Sequence, residues 1–167
     1  MTAPGRTLVV MRHGKSSWKT NDADIDRPLS SRGTRDAVVA GQQLARLAVD
    51  VVLVSPATRA QQTWQSLQMG GLTCSDVRTT DALYHAWTPE VLEVVKALPA
   101  DARTVLVVGH EPTLSDLILT LSGPSPFTPA IREKYPTSAV AVLVHEGGWD
   151  DLAPGASHLA AFEVPRG

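Results

Sequence analysis

The 167-residue chain is short of cysteine, of net charge and of long apolar runs, and each shortage excludes something. A single cysteine, Cys74, leaves no intrachain disulfide to form. That fits a reducing compartment and points to the cytoplasm. The residue six positions beyond Cys74 is Thr80 rather than arginine, so the loop of a cysteine-based phosphatase is missing. A formal net charge of -2 gives no global attraction for nucleic acid or an anionic membrane, so neither is expected as a partner. Any anion site must come from local clustering of charge. The longest aliphatic stretch, Ala139 to Val144, falls far short of the ~20 residues of a membrane helix. Met1 to Arg6 is polar and proline-containing, and no signal-peptide apolar core or cleavage site follows it. No Gly-x-x-x-x-Gly-Lys-Ser/Thr run exists, which argues against a nucleotide triphosphatase. The histidines, at 13, 85, 110, 145 and 158, lack metal-ligand spacing, so no metal or other cofactor is expected.

What is present is an ordinary globular composition, 43% hydrophobic and 19% charged, long enough for one domain spanning residues 1–167. Four valine-rich runs read as buried strands: Thr7 to Arg12, Asp50 to Ser55, Arg103 to His110 and Ser138 to His145. They do not alternate with polar residues, which suits a sheet covered on both faces. Shorter strands are predicted near Val77 to Thr79 and His158 to Val164. Helical segments lie between them. Ser30 to Val49 follows a Ser30 or Ser31 cap, Ala57 to Gly71 ends in two glycines, Thr88 to Pro99 has Thr88 as cap, and Pro112 to Gly123 closes the set. The proline-rich Gly123 to Pro136 reads as an ordered surface loop or flap. Strands alternating with helices predict an α/β fold, a three-layer sandwich around a mainly parallel, mixed sheet.

Three strand ends carry chemistry. The first gives Arg12-His13-Gly14, the second Ser55-Pro56-Ala57-Thr58-Arg59, the third Gly109-His110-Glu111-Pro112. In open parallel sheets, ligands bind beyond the carboxyl ends of the strands. Arg12, Arg59, His13 and His110 are therefore expected to converge on one patch. Two guanidinium forks hold phosphate oxygens and neutralise charge. A neutral imidazole attacks phosphorus, and a second donates to the equatorial oxygens of the transition state. Taken singly, each residue fits a duller role: a surface ion pair for either arginine, a polar strand end for either histidine. Their joint occurrence after three buried strands favours the phosphate site.

At these residues the sequence resembles the histidine phosphatase superfamily, whose signature is an Arg-His-Gly near the N-terminus. Within it, the resemblance is to the small SixA-like phosphohistidine phosphatases. RHGKSSW opens the match, followed by DRPLSSRG from Asp26, SPATRAQQT from Ser55, ALYHA from Ala82, VGHEPTLS from Val108 and YPTSAVAVL from Tyr135. The resemblance implies a phosphoglycerate-mutase-like fold. It makes His13 the nucleophile that is phosphorylated, with Arg12, Arg59 and His110 completing the pocket. Ser16 and Lys15, in the loop after the nucleophile, are within expected reach of phosphate.

Larger relatives such as phosphoglycerate mutases supply a carboxylate general acid from the region after the third strand. Here Asp81 is the nearest candidate, with Glu90 and Glu111 behind it and His85 as another donor. A protonated imidazole departs as a neutral ring, whereas an alkoxide needs a proton, so a pocket without an acid favours P–N over P–O cleavage. The expected activity is metal-independent hydrolysis through a phosphohistidine on His13, with phosphohistidine in a protein as substrate. A broader small-molecule or sugar phosphate monoesterase, or a mutase-like enzyme, is the alternative. A non-catalytic phosphate-binding module is the third reading.

Overall fold

The computed structural model describes residues 5–167. Residues 1–4, part of the segment read as free of a signal peptide, lie outside the described residues. The strands are β1 (Arg6–Arg12), β2 (Val51–Val54), β3 (Val77–Thr79), β4 (Thr104–Gly109), β5 (Val140–His145) and β6 (His158–Glu163). They form one sheet in the order β3-β2-β4-β1-β5-β6. β1, β2, β3 and β4 run parallel, β5 is antiparallel to β1, and β6 is antiparallel to β5. The sheet is thus mixed and mainly parallel.

The valine runs are buried on both faces because successive side chains point to opposite sides of the sheet. Leu8, Val10, Val51, Leu53, Val105 and Val107 enter one core. Val9, Met11, Val52, Val54, Leu106 and Val108 enter the other. Helices α1 (Ser31–Leu44) and α2 (Thr58–Met69) cover the second core with Ala37, Ala40, Leu44, Trp64 and Leu67. Helices α3 (Thr88–Lys96), α4 (Thr113–Leu121) and α5 (Thr128–Glu133) cover the first with Val91, Val95, Leu117, Ile118 and Ile131. The result is a three-layer α/β sandwich.

Three local expectations are corrected. The Gly123 to Pro136 segment is not all loop: it contains α5, whose Ile131 is buried. Pro129 sits in the first turn of that helix, where a missing N–H costs nothing. The first helix stops at Leu44 rather than Val49, and a tight turn from Leu47 N to Leu44 O leads toward β2. Thr88 is the first helical residue rather than the cap; its hydroxyl bonds the Asp116 carboxylate, while Glu90 accepts the Trp87 N–H at 3.0 Å. Ser30 does cap α1, accepting from Gly33 N. Among the described residues, no helix is long and apolar enough to cross a membrane.

Candidate active site

The register of the parallel strands assembles the site. Arg12 lies opposite Gly109, and Val54 opposite Val108. The next residues therefore emerge together at the carboxyl ends of the parallel strands: His13 N donates to Gly109 O at 3.0 Å, and Ser55 N to Val108 O at 3.1 Å. The His13 and His110 ring centroids stand 5.0 Å apart. Arg59, in the first turn of α2, is buried beside them, and the charges of Arg12 and Arg59 both act on both histidines. The carboxyl ends of these strands thus bring together Arg12, His13, Arg59 and His110.

Gly14 makes the turn after His13 possible. Its N–H donates to Thr63 Oγ1 at 3.0 Å, which ties the loop to α2. A Cβ at Gly14 would lie 2.8 Å from Gly33 O, and one at Gly33 would lie 2.1 Å from Lys15 O. The two glycines allow this loop and the start of α1 to touch backbone to backbone.

The local bonds set the state of each ring. His13 Nδ1 lies 2.7 Å from the Gly14 carbonyl oxygen. A carbonyl only accepts, so Nδ1 carries the proton and Nε2 keeps its lone pair. Burial pushes the His13 pKa down to about 3, reinforced by the charges of His110, Arg59 and Arg12 and opposed by the Gly14 bond. His110 is pushed down to about 4, again first by burial and then by Arg59. His110 Nε2 lies 2.7 Å from Ser55 Oγ, which itself accepts from Ala57 N at 3.2 Å. Ser55 Oγ and His110 Nε2 share one hydrogen bond, which holds the ring in place. Among the described residues, His110 Nδ1 is buried without a hydrogen-bond partner. One ring is therefore set up as a nucleophile, with the second held beside it.

These shifts have a consequence for stability. Between pH 6.5 and about 4 the unfolded chain binds protons that the folded rings refuse, so stability falls on acidification. From pH 6.5 to pH 5 the loss is about 2 kcal/mol per ring. Urea titrations at the two pH values measure it, and His13→Ala should remove about half of the difference.

Arg12 donates to Tyr135 O at 3.0 Å, and Tyr135 OH donates to Val10 O at 2.6 Å, which anchors the segment after α5 to β1. Arg59 is held by a residue with no obvious sequence signal. Its Nη1 donates to the Asp24 backbone oxygen at 2.7 Å and its Nη2 to Asp24 Oδ2 at 3.2 Å. Asp24 lies in a short 3-10 turn, Asp24–Asp26, and also accepts from Tyr84 OH at 2.6 Å and Arg27 Nη2 at 3.2 Å. The Tyr84 bond, with Arg27 and Arg59, holds the Asp24 carboxyl far below the usual carboxylate range.

The other expected site residues fall as follows. Ser16 gives its hydroxyl oxygen to Arg27, whose guanidinium stacks 3.8 Å from the centroid of the exposed Trp18 ring. Lys15 is exposed, and its carbonyl accepts from Ser30. A cleft of about 220 Å³ is lined by Arg59, His110, Tyr84, His85 and Glu111 among others. His13 and Arg12 stand beside it without lining it. Asp81 is exposed and does not line it. Glu111 is occupied as an acceptor, from Ser115 N at 2.7 Å and Ser115 Oγ at 2.6 Å. His85 lines the cleft with φ 54, its ring centroid 4.1 Å from that of Tyr84. Among the described residues, no group of three or more His, Cys, Asp or Glu side chains is arranged to hold a metal ion.

Fold and site together define a class of protein: a mixed α/β sheet whose strand ends set a neutral, oriented imidazole among guanidinium groups, an arrangement suited to handling phosphoryl groups. Comparison with known proteins agrees. The sequence profile of the histidine phosphatase superfamily (branch 1) matches residues 8–84. An uncharacterized protein of Mycobacterium tuberculosis is 45% identical over 162 residues, covering 93% of this chain and all of the relative. A structure assigned as phosphohistidine phosphatase SixA from Nakamurella multipartitia is 37% identical with a TM-score of 0.87, covering 99% of both chains. A second, assigned likewise, from Agrobacterium tumefaciens, is 27% identical with a TM-score of 0.80, covering 96% of this chain and 98% of the other. The chain belongs to the histidine phosphatase superfamily, and its activity class is that of a phosphatase.

Proposed function

We propose that this chain is a phosphohistidine phosphatase that acts on a phosphorylated protein through a covalent phosphohistidine at His13. The observation that carries the reading is the Nδ1 contact of His13 with the Gly14 carbonyl, which leaves Nε2 as the free nucleophile. Nε2 attacks phosphorus in line, the P–N bond of the substrate breaks, and its electron pair stays on the departing ring. Arg12 and Arg59 neutralise the equatorial oxygens, and a ring N–H of His110 donates to one of them. Water then attacks phospho-His13, releasing phosphate and restoring the imidazole. No metal enters these steps.

The choice of leaving group follows from the carboxylates. Asp81 is exposed and off the cleft, Glu90 binds the Trp87 N–H, and Glu111 binds Ser115. Asp24 is held ionised by its cationic and phenolic partners. None is placed to protonate an alkoxide, and a departing imidazole does not need one. The similarity to structures assigned as SixA supports the same substrate class. A cytoplasmic setting accords with the single cysteine.

The test is a comparison of a phosphohistidine peptide with p-nitrophenyl phosphate, with and without chelator. Faster turnover of the peptide, insensitive to chelator, is expected. Comparable or faster turnover of the ester would favour the small-molecule reading. Binding of phosphopeptide without turnover would favour the non-catalytic module.

A further inference from the structure

Asp24 is a carboxylate placed against a phosphate-binding guanidinium, which is a costly neighbour for an incoming anion. It takes one N–H from each terminal nitrogen of Arg59, through its backbone and side-chain oxygens. Its side chain also accepts from Arg27 and from Tyr84, a residue that lines the cleft with His110. A carboxylate offers about four lone-pair sites. Three are used here, and the side chain is still 47% exposed. The remaining site is on Oδ1, the oxygen that Arg27 holds, so the group has the capacity and the access to accept one more hydrogen bond beside the cleft that its partners Arg59 and Tyr84 line. Its negative charge is felt at His110.

We propose that Asp24 selects the leaving group by accepting the N–H of the distal ring nitrogen of phosphohistidine. The inference rests on the phosphohistidine reading above and names the residue that enforces it. When the distal nitrogen carries a proton taken from solvent, cleavage of the P–N bond returns its electron pair to the phosphorylated nitrogen. The ring then leaves as neutral imidazole, with no further proton needed. A carboxylate at the distal nitrogen favours that protonated form of the substrate. A phosphate ester has no such N–H, and the charge developing on its departing oxygen is repelled by the same carboxylate. Asp24 is thus a specificity residue for the departing ring in addition to being the outer support of Arg59.

The experiment is Asp24→Asn, which keeps an acceptor for Tyr84 and Arg59 but removes the charge. The reading is the ratio of kcat/KM for a phosphohistidine peptide to that for p-nitrophenyl phosphate, with vanadate inhibition as the report on Arg59. The ratio should fall at least about tenfold, as expected for a lost charge-assisted hydrogen bond, with vanadate affinity held within about threefold. Arg59→Ala, by contrast, should lower both substrates together and weaken vanadate. A parallel loss on both substrates in Asp24→Asn, or an unchanged ratio, would reduce Asp24 to a support for Arg59 and overturn the proposal. A wild-type chain inert toward the phosphohistidine peptide but active on the ester would remove the underlying reading, and the selector role with it.

Discussion

His13→Ala is expected to lower turnover by about four orders of magnitude or more, because it removes the group proposed to form the covalent bond. His13 is only 6% exposed and its ring faces that of His110, so the variant also trades a desolvated imidazole for a small cavity. The fold does not depend on that ring. The hydrophobic contacts of β1 come from Leu8, Val9, Val10 and Met11, all upstream of the site. A cooperative unfolding transition should therefore persist while kcat collapses. Stopped assays with the phosphohistidine peptide, alongside urea unfolding of the same preparation, separate the two effects. Residual activity near the wild-type level would remove His13 from its role.

Arg59→Ala should cost about three orders of magnitude in kcat/KM, the scale of a guanidinium that stabilises a transferring phosphoryl group. Arg59 is 6% exposed, held on its outer edge by Asp24, and its charge acts on Arg12, His13 and His110. Its loss removes a fixed fork that water cannot replace, and it also frees the Asp24–Asp26 turn from α2. Arg59→Lys should recover little. An ammonium supplies a point charge without the fork that holds Asp24 and, on the proposed reading, phosphate. Steady-state kinetics and vanadate affinity should both degrade. A variant that binds vanadate as wild type does would show that Arg59 does not touch the phosphoryl group.

Much of this arrangement could be read along the chain because it rests on local signals. The four valine runs announce a sheet buried on both faces, and the three parallel ones end directly in residues of the site. Arg12 closes its strand, and His13, Arg59 and His110 sit one to five positions past a strand end, which makes all four legible in the sequence. The supporting contacts were hidden for a physical reason: they join residues far apart in sequence that have no periodicity in common. Tyr84 meets Asp24 across 60 residues, and His110 meets Ser55 across 55. Ser55-Pro56 reads only as a strand ending, yet the Ser55 hydroxyl holds the His110 ring through Nε2. Asp24 lies in a polar stretch where one acid looks like another. Helix α5 was masked by the prolines around it, whose helix-breaking signal does not apply in a first turn.

The most direct measurement of the central claim is to trap the phosphoenzyme by rapid quench after mixing with substrate and locate the phosphoryl group by mass spectrometry. The account predicts an acid-labile, base-stable adduct on His13, attached through Nε2 and absent from His13→Ala. An acid-stable adduct, or one carried by any other residue, would contradict it.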